Sequence, residues 1–195
     1  MLIDAARYLA EVVFGLFSLA FLLRFYLQLV RAPYRNPLSH FLNALTDFLV
    51  KPARRVIPGL WGLDLASLVL AWTCEVLLLL VLLMLYGAER GMGAGGMDGI
   101  VYVAIFVLAL VKLLKTSVYI VMVAVIVQAL LSWFNPYSPA APLLNSLAQP
   151  FLRPLRKRIP PVGGVDLTPL VLIVILQLIL MVPIRWLEMM VRVPV

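Results

Sequence analysis

Three polar side chains interrupt long apolar stretches of this sequence, and they are the first candidates for chemistry. Arg24, Glu75 and Gln177 each lie well inside a run rich in Leu, Val, Ile and Phe. An ionisable group in such surroundings is energetically costly and is a functional candidate by default. Two interpretations are open: Arg24 and Glu75 form a buried pair that holds two helices together, or Glu75 belongs to a proton or ion path.

The elements that carry these residues are too apolar for a soluble domain. Of the 195 residues, 64% are hydrophobic and 13% are charged, whereas soluble domains have about 45–50% apolar and about 25% charged residues. Lipid must therefore cover much of the chain. The formal net charge is +7, but most basic residues cluster beside apolar stretches, which favours anionic lipid head groups over nucleic acid as the partner.

Four stretches are long enough to be membrane-spanning helices, since a bilayer core of about 30 Å needs about 20 helical residues. They cover residues 9–30, 65–86, 100–134 and 167–186. In lipid the backbone must satisfy its own hydrogen bonds, which requires helices. The third stretch is longer than one crossing needs, and Lys112 and Lys115 interrupt it without a turn residue. We expect one long tilted helix there, with two separate crossings as the alternative.

Two further segments have apolar residues on one side only. Residues 37–57 and 140–159 follow the i, i+3, i+4, i+7 pattern of an amphipathic helix. Neither is long or apolar enough to cross the bilayer, so both are expected to lie in the head-group plane. Residues 91–99 are rich in glycine and predict a flexible outer turn.

The two halves of the chain match at a constant offset of 102 residues. The matching positions are Pro37 and Pro139, Asn43 and Asn145, Pro52 and Pro154, Gly62 and Gly164, and Asp64 and Asp166. This predicts an all-α membrane protein with four transmembrane helices arranged as two parallel repeats, residues 1–90 and 100–195. Each repeat is a span, a surface helix and a second span. Both basic loops then face the cytoplasm by the positive-inside rule.

Basic residues gather at the end of each surface helix, and we expect them to dock on anionic lipid or on a membrane-protein partner. They are Lys51, Arg54, Arg55, Arg153, Arg156, Lys157 and Arg158. Asp64 and Asp166 precede the second span of each repeat. A carboxylate there can cap the helix, and the alternative is an ion pair with an arginine of the same loop.

No residue pattern indicates an enzyme, a metal site or a cofactor. His40 is the only histidine and Cys74 the only cysteine, so neither has a partner at metal-ligand spacing. Ser132 has no base near it in sequence. We therefore expect no catalytic, cofactor-binding or metal-binding residues.

The second half carries a specific motif. It runs from Ser132-Trp133-Phe134 through Gln149-Pro150-Phe151-Leu152-Arg153-Pro154 to Gly163-Gly164-Val165-Asp166-Leu167-Thr168-Pro169. This motif resembles the signature of the YggT (YlmG-like) membrane protein family, and the first half resembles it more weakly, with Ser67 in place of Pro169. The resemblance implies a bacterial inner-membrane protein linked to osmotic-stress tolerance, ion homeostasis, cell division or envelope organisation. Plastid relatives imply a link to haem attachment.

The leading hypothesis is a non-enzymatic membrane scaffold or assembly factor that docks through its basic amphipathic helices. The alternative is a small ion channel or transporter that uses Glu75 and Arg24 and works as a homo-oligomer, because four helices enclose little pore. A haem-handling role is a third and weaker hypothesis, since a single loop histidine is a poor haem ligand set.

Overall fold

A computed structural model describes residues 1–33, 36–59, 63–90, 99–134, 138, 140–159 and 166–191. The described helices are α1 (Leu2–Leu29), α2 (Pro37–Val56), α3 (Leu65–Glu89), α4 (Gly99–Phe134), α5 (Ala141–Arg156), α6 (Thr168–Ile179) and α7 (Arg185–Met190). A single π-helical turn, Leu180–Ile184, joins α6 to α7. The glycine-rich turn predicted at residues 91–99 lies outside the described residues except for Gly99, the first residue of α4.

Four of these helical segments are long and apolar enough to cross a membrane, which confirms the predicted all-α fold with four membrane-length helices. They are Leu2–Leu29, Leu65–Glu89, Gly99–Ser132 and Thr168–Met190. Helix α4 is continuous over 36 residues, or about 54 Å at 1.5 Å per residue. The last segment combines α6, the π turn and α7. Pro183 lies in that turn, where the wider helical geometry accommodates a residue without a backbone N–H.

Helices α1 and α3 pack antiparallel and form the centre of the first half. Side-chain contacts pair Arg7 with Glu89 and Ser18 with Glu75, so the order along one helix is reversed along the other. Phe21 and Leu22 of α1 and Ala71 of α3 are almost fully buried in one apolar cluster, to which α2 and α4 also contribute. Large apolar side chains at helical spacing therefore explain why α1 and α3 associate.

The two surface helices lie at the same end of the bundle. Leu42 of α2 shares one buried apolar cluster with Leu143 and Leu147 of α5, and Leu27 of α1 and Ala124 of α4 complete that cluster. The chain therefore enters both surface helices at one end, as expected if both basic loops face the same side of a bilayer.

Helix α1 ends in an unusual way. The N–H of Ala32 donates to the carbonyl oxygen of Leu27 at 2.9 Å, and the N–H of Arg31 donates to that of Gln28 at 3.1 Å. These two bonds are the Schellman pattern, which places one residue in the left-handed region, usually glycine. Here that residue is Arg31, with φ of 51°, at a cost of about 1 kcal/mol relative to glycine.

Candidate functional site

Arg24 is the centre of a buried polar network where α1 meets the surface helix α2. Its Nη1 donates to Thr46 Oγ1 and to Asp47 Oδ1, both at 2.7 Å, and its Nε lies 3.6 Å from Asp64 Oδ2. The Arg24 side chain is only 9% exposed. A guanidinium this deep needs carboxylates around it, because an unpaired buried charge is very costly.

Asp64 joins this network to the start of α3. Its carboxylate accepts from Arg54 Nε at 3.2 Å and from Arg54 Nη2 at 2.6 Å, and from Ser67 Oγ at 2.6 Å. It is also the N-cap residue of α3, accepting from the backbone N–H of Ser67. Burial alone would raise the pKa of Asp64, but the hydrogen bonds from Arg54 and Ser67 outweigh it and lower the pKa below its ordinary value.

The second half has a similar ion pair at its own surface-helix junction. Arg156 Nε donates to Asp166 Oδ2 at 2.8 Å, and Asp166 Oδ1 accepts from the backbone N–H of Thr168 at 2.9 Å. Burial alone would raise the pKa of Asp166, but the hydrogen bonds from Thr168 and Arg156 outweigh it and lower the pKa below its ordinary value. We call Arg54–Asp64 the first Arg–Asp pair and Arg156–Asp166 the second Arg–Asp pair. Each ties the end of a surface helix to the start of the following span.

The two Arg–Asp pairs differ in exposure. The Asp64 side chain is 2% exposed, whereas the Asp166 side chain is 41% exposed. Coulomb attraction and hydrogen bonds act at full strength only where water is excluded. Both arginines are partly exposed, at 44% for Arg54 and 41% for Arg156, so the difference lies in the carboxylates: Asp64 is shielded from water, and Asp166 is open to water or head groups.

The predicted contact between Arg24 and Glu75 is corrected by the structure. Ser18 Oγ donates to Glu75 Oε1 at 2.8 Å, inside the α1–α3 interface, while Arg24 is bound to Asp47 and Asp64. Ser18 and Arg24 are six residues apart on α1, or about 9 Å along the helix axis. Arg24 therefore extends toward the nearer carboxylates at the end of the bundle.

Gln177 is placed differently from Glu75, although the two positions match at the 102-residue offset. It lies on an exposed part of α6, and its Nε2 is 3.7 Å from Met122 Sδ. The buried amide of the second half is instead Gln128, which is 8% exposed and donates to Asn145 Oδ1 at 3.0 Å. Sequence reasoning missed Gln128, although a glutamine inside an apolar stretch is the same signal that identified Glu75.

Asp47 was also missed, and it holds two cations. Besides Arg24 it pairs with Lys51 at 2.9 Å, one helical turn away on α2. Hydrogen bonds from Lys51 and from Arg24 lower the pKa of Asp47. The amphipathic pattern of α2 could have identified it, because an acidic residue on a basic helix must find a cation nearby.

The other basic residues predicted to dock are exposed at the ends of the surface helices. Arg55 and Arg153 lie in the last turns of α2 and α5, and Lys157 and Arg158 follow α5 directly. Among the described residues, no group of three or more His, Cys, Asp or Glu side chains is arranged to hold a metal ion. The arrangement as described ties helices together and presents positive charge at one end of the bundle.

Four long apolar helices with surface helices anchored at one end define a multi-pass α-helical membrane protein. The family model described as CCB3/YggT matches residues 3–85 and 107–187, so each matched segment contains one surface helix. The chain belongs to the CCB3/YggT family, which confirms the resemblance seen in its sequence motifs.

Individual relatives cover nearly the whole chain. An uncharacterized protein of Pseudomonas aeruginosa is 39% identical over 192 residues, which is 97% of this chain and 93% of the relative. The uncharacterized protein YggT of Escherichia coli is 31% identical over 177 residues, covering 90% of this chain and 87% of the relative. A Vibrio alginolyticus protein, named for its position beside proC, is 31% identical over 175 residues, covering 89% of this chain and 90% of the relative. No solved structure matches this chain significantly.

Proposed function

We propose that this chain is a non-enzymatic scaffold or assembly factor of the bacterial inner membrane. Its two basic surface helices dock on anionic lipid at the cytoplasmic face and present a fixed surface to membrane-protein partners. In the cell this activity would serve envelope organisation, cell division or osmotic-stress tolerance. The observation that carries the proposal is that two basic surface helices share one end of the bundle, each tied down by its own Arg–Asp pair.

The exposed face of α2 supports contact with lipid. Phe41, Phe48 and Val56 are 61%, 60% and 82% exposed, although they lie on a helix that buries Leu42 and Val50 against the bundle. Large apolar side chains beside basic residues are typical of helices that lie in the membrane interface. Helix α5 instead buries its main apolar residues, Leu143, Leu147 and Leu152, and contributes mainly charge.

Lipid rather than nucleic acid is the expected anionic partner because of where the charge lies. The exposed arginines and lysines lie in the last turn of a surface helix or directly after it, and these helices pack against membrane-length spans. Basic residues at such positions gain about 1 kcal/mol each near an anionic leaflet. That attraction is screened by salt over about 10 Å at 0.1 M ionic strength.

The electrostatic attraction between the basic surface helices and anionic lipid can be tested with the whole protein in liposomes. An environment-sensitive dye on a Gln149→Cys variant, with Cys74→Ala as background, reports whether the exposed face of α5 lies in the head groups. We expect a blue shift in vesicles containing phosphatidylglycerol that is weaker in pure phosphatidylcholine and falls with salt. Changing Arg55, Arg153, Lys157 and Arg158 to Gln should abolish it, and Arg90→Gln at the opposite end should not. Equal blue shifts in both kinds of vesicle would contradict the claim that electrostatic attraction to anionic lipid contributes to docking.

The orientation can be tested with the same background. Arg55→Cys and Arg158→Cys should both react with an impermeant maleimide in inverted inner-membrane vesicles and be protected in spheroplasts. Arg90→Cys should show the reverse, because it lies beyond the other end of α3. Opposite accessibility of positions 55 and 158 would contradict both the shared cytoplasmic face and the parallel repeats.

A further inference from the structure

A cavity of about 490 Å³ opens where α1 ends, between the start of α2 and Leu63. Its polar lining consists of Arg24, Gln28, Arg31, Ser39 and Asn43. Its apolar lining consists of Leu27, Leu29, Ala32, Leu42 and Leu63. The cavity lies at the same end of the bundle as both surface helices, where head groups meet the protein in the proposed orientation.

The charged groups that line this cavity are all positive. Among the described lining residues, Arg24 and Arg31 are charged and none is acidic. The two carboxylates nearby, Asp47 and Asp64, contact Arg24 through Nη1 and Nε from the α2 and α3 sides. A guanidinium has five N–H donors, so Arg24 can be held by these carboxylates and still donate to an anion in the cavity.

Arg31 lines the cavity although its backbone conformation is unfavourable for an arginine. Its φ of 51° is the left-handed value at which the Schellman pattern normally has glycine. Strained positions of this kind concentrate at functional sites, where the side chain is needed more than the easier backbone. A glycine would end α1 equally well, but it would leave the cavity without its second cation.

We propose that this cavity binds the phosphate group of an anionic phospholipid. Arg24 and Arg31 would hold the phosphate oxygens, since a guanidinium matches phosphate geometry with paired N–H bonds. Ser39 and Asn43 add hydrogen-bonding side chains, and the four leucines suit the glycerol and first acyl carbons. These apolar walls favour a lipid over free phosphate. The site is distinct from the exposed basic residues of the proposed function, and it rests on the proposed function only in placing this end of the bundle among the head groups.

The test uses the full-length protein purified in a mild detergent. Thermal unfolding is followed with added phosphatidylglycerol, phosphatidylcholine or inorganic phosphate. We expect phosphatidylglycerol to raise Tm, with little effect of the other two. Arg31→Gly should weaken the apparent phosphatidylglycerol affinity about tenfold, as expected for the loss of charge-assisted hydrogen bonds. Because it relieves backbone strain, this variant should have an unchanged or higher Tm without lipid, and so it avoids the folding defect expected of Arg24 variants.

Arg90→Gly is the matched control, because it removes one exposed arginine at the opposite end of the bundle, away from the cavity and from the exposed basic cluster. It should keep the full phosphatidylglycerol effect. A full effect in Arg31→Gly, an equal loss in Arg90→Gly, or an equal response to phosphatidylcholine would each overturn the site. A response to inorganic phosphate as large as that to lipid would reassign the ligand to free phosphate. Loss of the dye shift in the exposed-cluster variant together with a normal Arg31→Gly response would support the proposed function and overturn this cavity.

Discussion

The two halves of this molecule use the same Arg–Asp pair at the same place but surround it differently. In the first half Asp64 is buried and bound by two arginines and a serine. In the second half Asp166 is exposed to a large extent and bound by one arginine. At an offset of 102 residues, four of the buried polar residues of the first half correspond to apolar or neutral ones: Ser18 to Ile120, Arg24 to Ile126, Thr46 to Ala148, and Glu75 to Gln177.

Among the described residues, the second half has no buried charged side chain, and its surface helix still packs against its spans. Around α5 and α6 the second half is held by an apolar cluster that includes Val125, Ala148, Leu152 and Leu172. Replacing buried ion pairs by apolar residues of similar volume is often neutral or stabilising. The ionic network of the first half is therefore best explained by what Arg24 does there, which is to line the cavity beside Arg31.

The largest expected effect comes from removing the buried carboxylate. Asp64→Asn keeps the shape of the side chain but leaves Arg24 and Arg54 without their shared partner. Breaking a buried ion pair by removing one member costs about 3–5 kcal/mol. We expect a loss of this size in the free energy of unfolding, measured by denaturant titration in mixed micelles.

The matched variant in the second half is Asp166→Asn. Its pair with Arg156 is exposed, and exposed ion pairs contribute about 0–1 kcal/mol. We expect a change of that size in the same titration. Equal losses in Asp64→Asn and Asp166→Asn would mean that the difference in burial between the two carboxylates has no energetic consequence.

Helix positions could be predicted from the sequence because hydrophobic length and one-sided periodicity act locally. The prediction of a surface helix at residues 37–57 agrees with α2 at Pro37–Val56, where Asn36 accepts from the backbone N–H of Ser39 as the cap. The CCB3/YggT family was also recognisable from its motifs. The repeat and the cytoplasmic placement of the basic loops stay predictions.

The partners of the buried polar groups could not be predicted in the same way. Arg24 was assigned to Glu75 because both lie in apolar stretches, but a long side chain can reach either along its own helix or across to another. Which carboxylate it meets depends on where α2 crosses α1, and that is decided by packing of distant residues such as Leu42. The left-handed conformation of Arg31 gave no signal, since glycine is the residue that marks such a position.

A smaller effect is expected at the Ser18–Glu75 contact. Ser18→Ala removes the hydrogen-bond donor to Glu75, a residue that is 6% exposed, and leaving a buried polar group without its partner costs about 1–3 kcal/mol. The control is Ser146→Ala on α5, whose hydroxyl donates only to the carbonyl of Pro142 at an exposed position. That change should stay within about 0.5 kcal/mol.

Glu75→Gln gives the first half the residue that the second half has at the matching position, Gln177. The variant tests whether Glu75 has a structural role or belongs to an ion path. The amide oxygen can still accept from Ser18, so we expect the free energy of unfolding to change by less than about 1 kcal/mol. In proteoliposomes we expect no ion flux that depends on this residue. A flux present with Glu75 and abolished by Gln would instead favour the channel or transporter hypothesis.

The smallest effect expected is the acid response of the second Arg–Asp pair. The pKa of Asp64 and that of Asp166 are both lowered in the folded protein. A group with a lowered folded pKa stabilises the protein above its unfolded pKa of about 3.9, and this stabilisation is lost as pH falls through the folded value. Tm should therefore be insensitive to these groups from neutral pH down to about pH 5, and should fall below about pH 4.

The variants Asp64→Asn and Asp166→Asn show how much each aspartate contributes to the fall in Tm at acid pH. Asp64→Asn should flatten the fall in Tm below about pH 4 more than Asp166→Asn does, because the hydrogen bonds of Asp64 are shielded from water. Tm measured against pH for the wild type and both variants in one detergent provides the comparison. A larger flattening in Asp166→Asn would mean that the exposed pair carries more of the acid sensitivity, and the contrast between the two halves would then have to be explained by something other than burial.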